Sequence, residues 1–492
     1  MLLGCLSLGS AGLPYAAKRE AMIRAECNAS LGGAIALTPQ EAAADRVLRA
    51  AKAEAYSSDP FLASRSFFQT QRQINASKLF TLLQPLPKGA ALHLHFDSML
   101  DTRWFLPVTY ESNCFVCWPS TAALPVSFRF LTNATAGPTC EAGWQRMSTL
   151  RATTRNVTAL DELVYEALSL PPASKQAYPD VDSAWRKFQA LFGVVGGLLN
   201  YLPVYRRYVA AVMDRFVDDN VQRLELRGGL LSNITYTLDQ VEQTAEFAVQ
   251  LWLDTAASRK LNIAFIYSAL RSQPPEAIAL ELRRAKELQA AFPSKVIGFD
   301  LVGQEDPGRP LVDFAAMLQA AASPRAGPPL PYVFHAGETK YFGAKADVNL
   351  YDALLLNTSR IGHGFALRNH PELRRAVRER GIGIEVCPLS NQVLGLVDDL
   401  RNHPLASFIA EALPVVISSD DPGFWGATAV NYDWWVAFVV AGEACAGIGL
   451  LKQLAINSIE QSLLTKGERA AVMSEWQRRW GQYVDWVVSQ AK

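Results

Sequence analysis

ALHLHF at residues 91–96 opens a series continued by VQRLELR (221–227), NIAFIYS (262–268), VIGFDLV (296–302), YVFHAG (332–337), RIGHG (360–364), GIEVCPL (383–389) and PVVISSD (414–420). Each is a short run of apolar, β-branched or aromatic residues, the composition of a strand buried on both faces. Longer stretches with helical periodicity separate them. After one long first gap, the spacing suits a single helix and its loops each time. Eight such strands predict parallel βαβ units closed into a (β/α)8 barrel, an α/β fold. An open doubly wound sheet is the competing architecture, but it lacks a supporting G-x-G-x-x-G loop.

The long first gap sets the remaining boundaries. It holds Cys114, Cys117 and Cys140, two N-x-S/T sequons and several prolines, then a helix near 182–215. Residues 107–180 therefore read as an inserted subdomain, and 89–106 with 181–492 as the barrel. Residues 21–88 read as a helical extension that covers the barrel or pairs with another subunit, with Thr38 and Glu41 forming a T-x-x-E capping box. MLLGCLSLGSAGLPYA is apolar and small but has no basic n-region. Residues 1–20 thus fit a short signal peptide or the start of a helix. The stretch WWVAFVVAGEACAGIGLL is interrupted by Glu443 and predicts a buried helix, not a membrane span.

Lys+Arg and Asp+Glu both number 47, so the formal net charge is zero. That balance speaks against nucleic acid or an anionic membrane as partner, and for a small substrate. Six sequons, at Asn28, Asn75, Asn133, Asn156, Asn233 and Asn357, exceed the roughly two that ordinary Ser and Thr frequencies would give. They predict a secreted glycoprotein. In that setting a local disulfide from the C-x-x-C pair to Cys140 is expected. Cys387, inside an apolar strand, reads as a buried free thiol.

Four of the six histidines, His93, His95, His335 and His363, stand at predicted strand ends, which in a parallel barrel share one mouth. Alternation along HLHFD puts His93, His95 and Asp97 on one face. Two inward imidazoles need partners, and H-x-H is a natural bidentate metal site. YVFHAGET adds His335 and Glu338, RIGHG adds His363 between glycines, and VVISSDD ends in Asp420 and Asp421. Alternation would aim one aspartate at a metal and the other at substrate. Any one of these groups alone fits a satisfied structural role; their convergence points to a metal centre. Trp185, Phe188 and Phe192 form an apolar stripe that serves equally as core or as pocket wall.

HLHFD, HAGET, RIGHGFAL, EVCPLSNQVLG and ISSDDPG together resemble the adenosine deaminase family. PKGAALHLH, GFDLVGQED and WRKFQALF resemble its secreted branch, the adenosine deaminase-related growth factors (adenosine deaminase type 2). The resemblance implies one Zn2+ per subunit on His93, His95, His335 and Asp420. It makes Glu338 the proton donor to purine N1, and His363 the group that orients and deprotonates the attacking water. Asp421 and the backbone of Gly303 would meet the purine, Asp97 the ribose, and Trp185, Phe188 and Phe192 the pocket wall. It also implies a Cys117–Cys140 disulfide in a receptor-binding insertion and a homodimer through the N-terminal helices. One departure stands out: an S-x-H-R stretch after the third strand reads SALR here, with Leu270 in place of the histidine.

The chemistry agrees with this. Zinc brings the pKa of its water to about 7, and protonating N1 makes C6 electrophilic. The combined H-x-E and P-C-x-x-C signature of cytidine deaminases is absent. The expected activity is extracellular deamination of adenosine and 2′-deoxyadenosine, alongside growth-factor-like signalling. The alternatives are a receptor- or glycosaminoglycan-binding protein with a weak or inactive barrel, and a barrel hydrolase of another aminopurine.

Overall fold

The computed structural model describes residues 14–170, 178–229, 236–323, 327–427, 429–442 and 445–491. Residues 1–13 of the signal-peptide reading, residues 171–177 of the insertion, the Asn233 sequon and Glu443 lie outside them. Eight parallel strands form the barrel: β1 (Gly89–His95), β5 (Val221–Gly228), β6 (Asn262–Leu270), β7 (Val296–Val302), β8 (Val333–Ala336), β9 (Arg360–His363), β10 (Gly383–Val386) and β11 (Val415–Ile417). They pair in two runs, β1-β5-β6-β7 and β8-β9-β10-β11. Bridges Phe299↔Tyr332 and Leu94↔Asp420 join the runs at both seams and close the cylinder.

The missing numbers belong to the insertion. There β2 (Cys114–Cys117), β3 (Ser127–Phe130) and β4 (Trp144–Arg146) make a small antiparallel sheet in the order β3-β2-β4. Cys117, the last residue of the central strand, is bonded to Cys140, whereas Cys114 stays free and buried, its thiol pushed by burial to about 12. Cys387 is also a buried free thiol, but it caps the helix after β10 instead of lying within the strand.

Two helical expectations differ in detail. The helix near 182–215 is two, Val181–Leu199 and Leu202–Asp218. Asn200 accepts from the Tyr236 amide and Leu202 donates to the Tyr236 carbonyl, both at 2.8 Å, and Pro203 starts the second helix. The helix expected over WWVAFVVAGEACAGIGLL is likewise two, Asn431–Val440 and Ile448–Glu460. Gly442, at φ 76°, leaves the helical region between them.

Among the described residues, four α-helices precede the barrel: Tyr15–Ala29, Pro39–Ser58, Phe67–Ala76 and Lys78–Leu83. The Thr38–Glu41 capping box forms as expected. Glu41 then reaches across to accept from Lys452 Nζ and Trp480 Nε1, each at 2.7 Å. Burial opposes its charge, but these donors and the Thr38 amide hold its carboxyl down at about 2. The extension is thus packed against the C-terminal helices. A disulfide not anticipated from sequence, Cys27–Cys445, fastens its first helix to the segment ahead of Ile448–Glu460.

The barrel interior is not wholly apolar. Arg223, Glu225 and Arg227 alternate along β5 and are all buried. Glu225 pairs with Arg223 at 3.0 Å and with Arg360 at 2.7 Å, and it accepts from the Leu463 amide at 2.8 Å. Burial alone would raise its carboxyl; the two guanidinium charges outweigh that and lower it. Such a carboxylate binds fewer protons folded than unfolded, so its contribution is complete above about pH 4.5 and declines as pH falls below it. Glu225→Ala leaves two buried cations short of a partner and is expected to cost about 3–5 kcal/mol. Urea denaturation read at pH 7 and pH 4 checks both statements: the penalty should shrink at the lower pH.

Candidate active site

β1 carries the first two ligands, and its ladder is irregular there. Ala91 pairs with Leu224 but Leu94 pairs with Leu226, so three residues oppose two. Ala90 and Leu92 pack with Val416, while Ala91 and Leu94 join the main core. The extra residue lets His93 and His95 both face the site after Leu92 has faced inward, a bulge that re-aims side chains. Asp97 is not on the strand. It follows in a turn, still lines the cavity, and burial pushes its carboxyl to about 7.

His335 sits in β8, and Asp420 lies past the end of β11. Simple alternation does not separate Asp420 from Asp421, because Asp420 has φ 62°, in the left-handed region. His363, at the end of β9, has φ 57°. Two non-glycine residues held in this conformation mark backbone fixed by its surroundings at a functional position.

One donor atom from each of His93, His95, His335 and Asp420 falls within 4.8 Å of the others. Asp420 Oδ1 lies 3.2 Å from His93 Nε2 and 3.1 Å from His95 Nε2. Donors on a tetrahedral zinc with bonds of 2.0–2.1 Å stand about 3.3 Å apart. His93 Nε2 and Asp420 Oδ1 are nevertheless buried without a hydrogen-bond partner. Buried polar atoms in native proteins have partners; these converge as ligands do, and the set fits a divalent metal.

The sequence reading missed the groups behind the ligands. His93 Nδ1 contacts Glu385 at 2.9 Å, and His335 Nδ1 contacts Asp300 at 2.6 Å. Arg227 bridges the two carboxylates, 2.9 Å from Asp300 and 2.5 Å from Glu385. For Asp300, burial is outweighed by the His335 and Arg227 charges; for Glu385, by Arg227 and Arg360. Both carboxyls are held well below the ordinary range. The signal was available: charged residues at inward positions of otherwise apolar strands, in GFDL, GIEV and RLELR.

Glu338 follows His335 by three residues, and its Oε1 is 3.6 Å from His363 Nε2. Burial, then the charges of Asp420 and Glu305, lift the Glu338 carboxyl well above its usual range. Glu305, also unanticipated, accepts from the Glu338 amide at 2.9 Å and the Gly337 amide at 3.2 Å. Burial and the Asp420 charge raise Asp421 as well, and Ser98 donates to it. Burial depresses His363 well below the usual imidazole value.

A relay sets the His363 tautomer. The Leu405 amide donates to His403 Nδ1 at 3.0 Å, so neutral His403 carries its hydrogen on Nε2 and donates to Asn391 Oδ1 at 2.9 Å. The Asn391 amide nitrogen then faces His363 Nδ1 at 3.3 Å. This leaves the His363 hydrogen on Nε2, toward the ligand set.

His95, Asp97, His335, Glu338, His363, Asp420 and Asp421 line one cavity of about 590 Å³, a ligand-sized volume. Trp185, Phe188 and Phe192 line it too, while Trp185 and Phe188 also belong to the core, so the stripe serves both roles. Gly303, at φ 99°, brings bare backbone to the wall. Asp300→Ala removes the His335 partner and is expected to weaken metal affinity 10–100-fold, measured by competition with a chromophoric chelator.

Comparison with known proteins identifies the family. The adenosine deaminase family profile matches residues 158–478, and the adenosine/AMP deaminase N-terminal profile matches residues 6–83. Adenosine deaminase 2 of Sus scrofa is 38% identical over 481 residues, covering 95% of this chain and 93% of that protein. Adenosine deaminase 2 of Homo sapiens is 39% identical over 467 residues, with 92% and 90% covered. Among solved structures, a zinc-bound amidohydrolase from Burkholderia ambifaria matches with TM-score 0.56 and 20% identity, covering 84% of this chain and 95% of that one. An Arabidopsis N6-mAMP deaminase matches with TM-score 0.57 and 17% identity, covering 81% and 99%. The chain belongs to the adenosine deaminase family, in its adenosine deaminase 2 branch.

Proposed function

We propose that this chain hydrolyses adenosine and 2′-deoxyadenosine to the inosine nucleosides and ammonia. The observation that carries the reading is the convergence of one donor atom each from His93, His95, His335 and Asp420, with His93 Nε2 and Asp420 Oδ1 unpartnered, beside a carboxyl that burial and neighbouring charges lift well above its usual range. His93, His95, His335 and Asp420 would hold one zinc ion. When bound, it supplies the Lewis acidity that makes water nucleophilic at neutral pH.

The chain's own groups do the rest. Glu338 gives its proton to N1, drawing electron density from C6. Neutral His363 donates from Nε2 to orient the attacking water, a narrower role than the deprotonation implied by resemblance. Water adds at C6, the C6–N6 bond breaks, and ammonia leaves. Over the cycle one water proton restores Glu338 and the other passes to N6, so that N6 leaves as ammonia. Asp421, kept protonated, is a donor suited to N7, and Gly303 approaches the base through its backbone. Asp97 meets the ribose, and Trp185, Phe188 and Phe192 wall the base.

The sequons and the two disulfides support secretion. All five described sequon asparagines are exposed, as attachment of a glycan requires. The helix Tyr15–Ala29 has no buried residue, which suits a pairing surface for a homodimer. The segment 107–180 is the part we assign to a receptor or glycosaminoglycan in growth-factor-like signalling.

The test is loss of adenine-band absorbance when zinc-loaded protein meets adenosine. Glu338→Gln is expected to lower turnover by about 10²–10⁴-fold with zinc content unchanged, and retained turnover rejects its acid role. Chelation should abolish activity and added zinc restore it. No turnover by the loaded protein would leave the receptor-binding reading in its place.

A further inference from the structure

We propose that the outer half of the cavity favours nucleosides with an apolar group on C5′, so that the chain also deaminates 5′-deoxy-5′-alkylthioadenosines, with Leu270 setting that preference. The inference rests on the deaminase reading above.

The cavity is polarised along its depth. Its inner end holds the ligand set with Glu338 and His363, all nearly inaccessible to solvent apart from the partly exposed His95. A purine must present C6 there, so its sugar lies toward the rim. Leu270 is the last residue of β6, lines the cavity, and keeps 50% of its surface exposed. It is held in place on both sides. It pairs with Val302 across the β6–β7 ladder. The next residue, Arg271, is fully buried and donates to the carbonyls of Leu301 and His335 at 2.9 and 2.8 Å. Opposite stands Gly303, where an added Cβ would come 3.8 Å from Leu270 Cδ2. A leucine fixed at a rim and uncovered by its own chain offers apolar surface to the outer end of the ligand, and burying such surface is favourable.

Nearby lining residues extend that surface. Ala269, the chain neighbour of Leu270, and Val302, its ladder partner, are apolar, although Ser272 and Gln273 line the same cavity; Phe192 is also in the lining, and a thioether sulfur packs well against an aromatic ring. Charge discriminates in the same direction. Arg227 is the only Lys or Arg side chain lining the cavity among the described residues, and it is committed to Asp300, Glu385 and the Leu92 carbonyl. The lining also holds Glu281, which accepts from Tyr267. A 5′-phosphate would therefore meet a carboxylate and no free cation. A 5′-alkylthio group loses no counter-charge and covers Leu270. The reaction itself is unaltered: water adds at C6, ammonia departs, and the C5′–S bond stays intact.

The test compares kcat/KM of the zinc-loaded, full-length protein for adenosine, 5′-deoxy-5′-(methylthio)adenosine and AMP. We expect the methylthio compound to equal or exceed adenosine, and AMP to fall at least about 100-fold below it. Leu270→Asn should cut the methylthio-to-adenosine ratio by about tenfold. Adenosine turnover with a wild-type ratio below one, or AMP turnover rivalling adenosine, overturns the inference alone. An unchanged ratio in Leu270→Asn overturns the assignment to that residue. If none of the three is deaminated, the deaminase reading falls and this one with it.

Discussion

Arg227 is the point on which the site turns. Its guanidinium sits wholly inside the barrel, forked between Asp300 and Glu385 and donating to the Leu92 carbonyl. Each carboxylate in turn takes the Nδ1 of a ligand histidine. One cation thereby fixes two imidazoles in the tautomer that leaves Nε2 bare. The arrangement spans β5, β7, β8, β10 and β1. A register slip in any of them would strand a charge in a dry interior, where an unpaired ion costs several kcal/mol. The same bonds that orient the ligands therefore also specify which strands are neighbours.

Burial then sorts the carboxyls by partner. Asp300 and Glu385 face guanidinium groups and stay ionised, whereas Glu338 and Asp421 face a neighbouring carboxylate and take up protons. Asp420 is set apart by its histidine neighbours, which hold its carboxyl far down despite burial. Ionised and protonated carboxyls thus arise side by side in one site, through environment alone.

The barrel was legible because fully buried parallel strands leave continuous apolar runs, and all eight quoted runs contain a strand. The clustering of His93, His95, His335 and Asp420 was legible because histidine is rare here and stands at strand ends. Local conformation was not. The register shift in β1 and the positive φ at His363 and Asp420 depend on contacts distant in sequence, so simple alternation reached the right neighbours for an incomplete reason. Glu305 and Asn391 lie inside the quoted stretches GFDLVGQED and EVCPLSNQVLG, but their roles, like that of His403, depend on backbone and amide partners that only the fold brings together. Leu270 was visible only as a departure from a resembled pattern; its place on the rim came from the strand pairing.

The bond between Cys27 and Cys445 joins partners 418 residues apart. During synthesis the first thiol emerges early and must remain uncoupled until almost all of the barrel has been made. Covalent closure is therefore a late event, available only to a chain whose final helices are already in reach. A molecule stalled or truncated before residue 445 cannot fasten its leading helix, and that loose end distinguishes unfinished copies from finished ones.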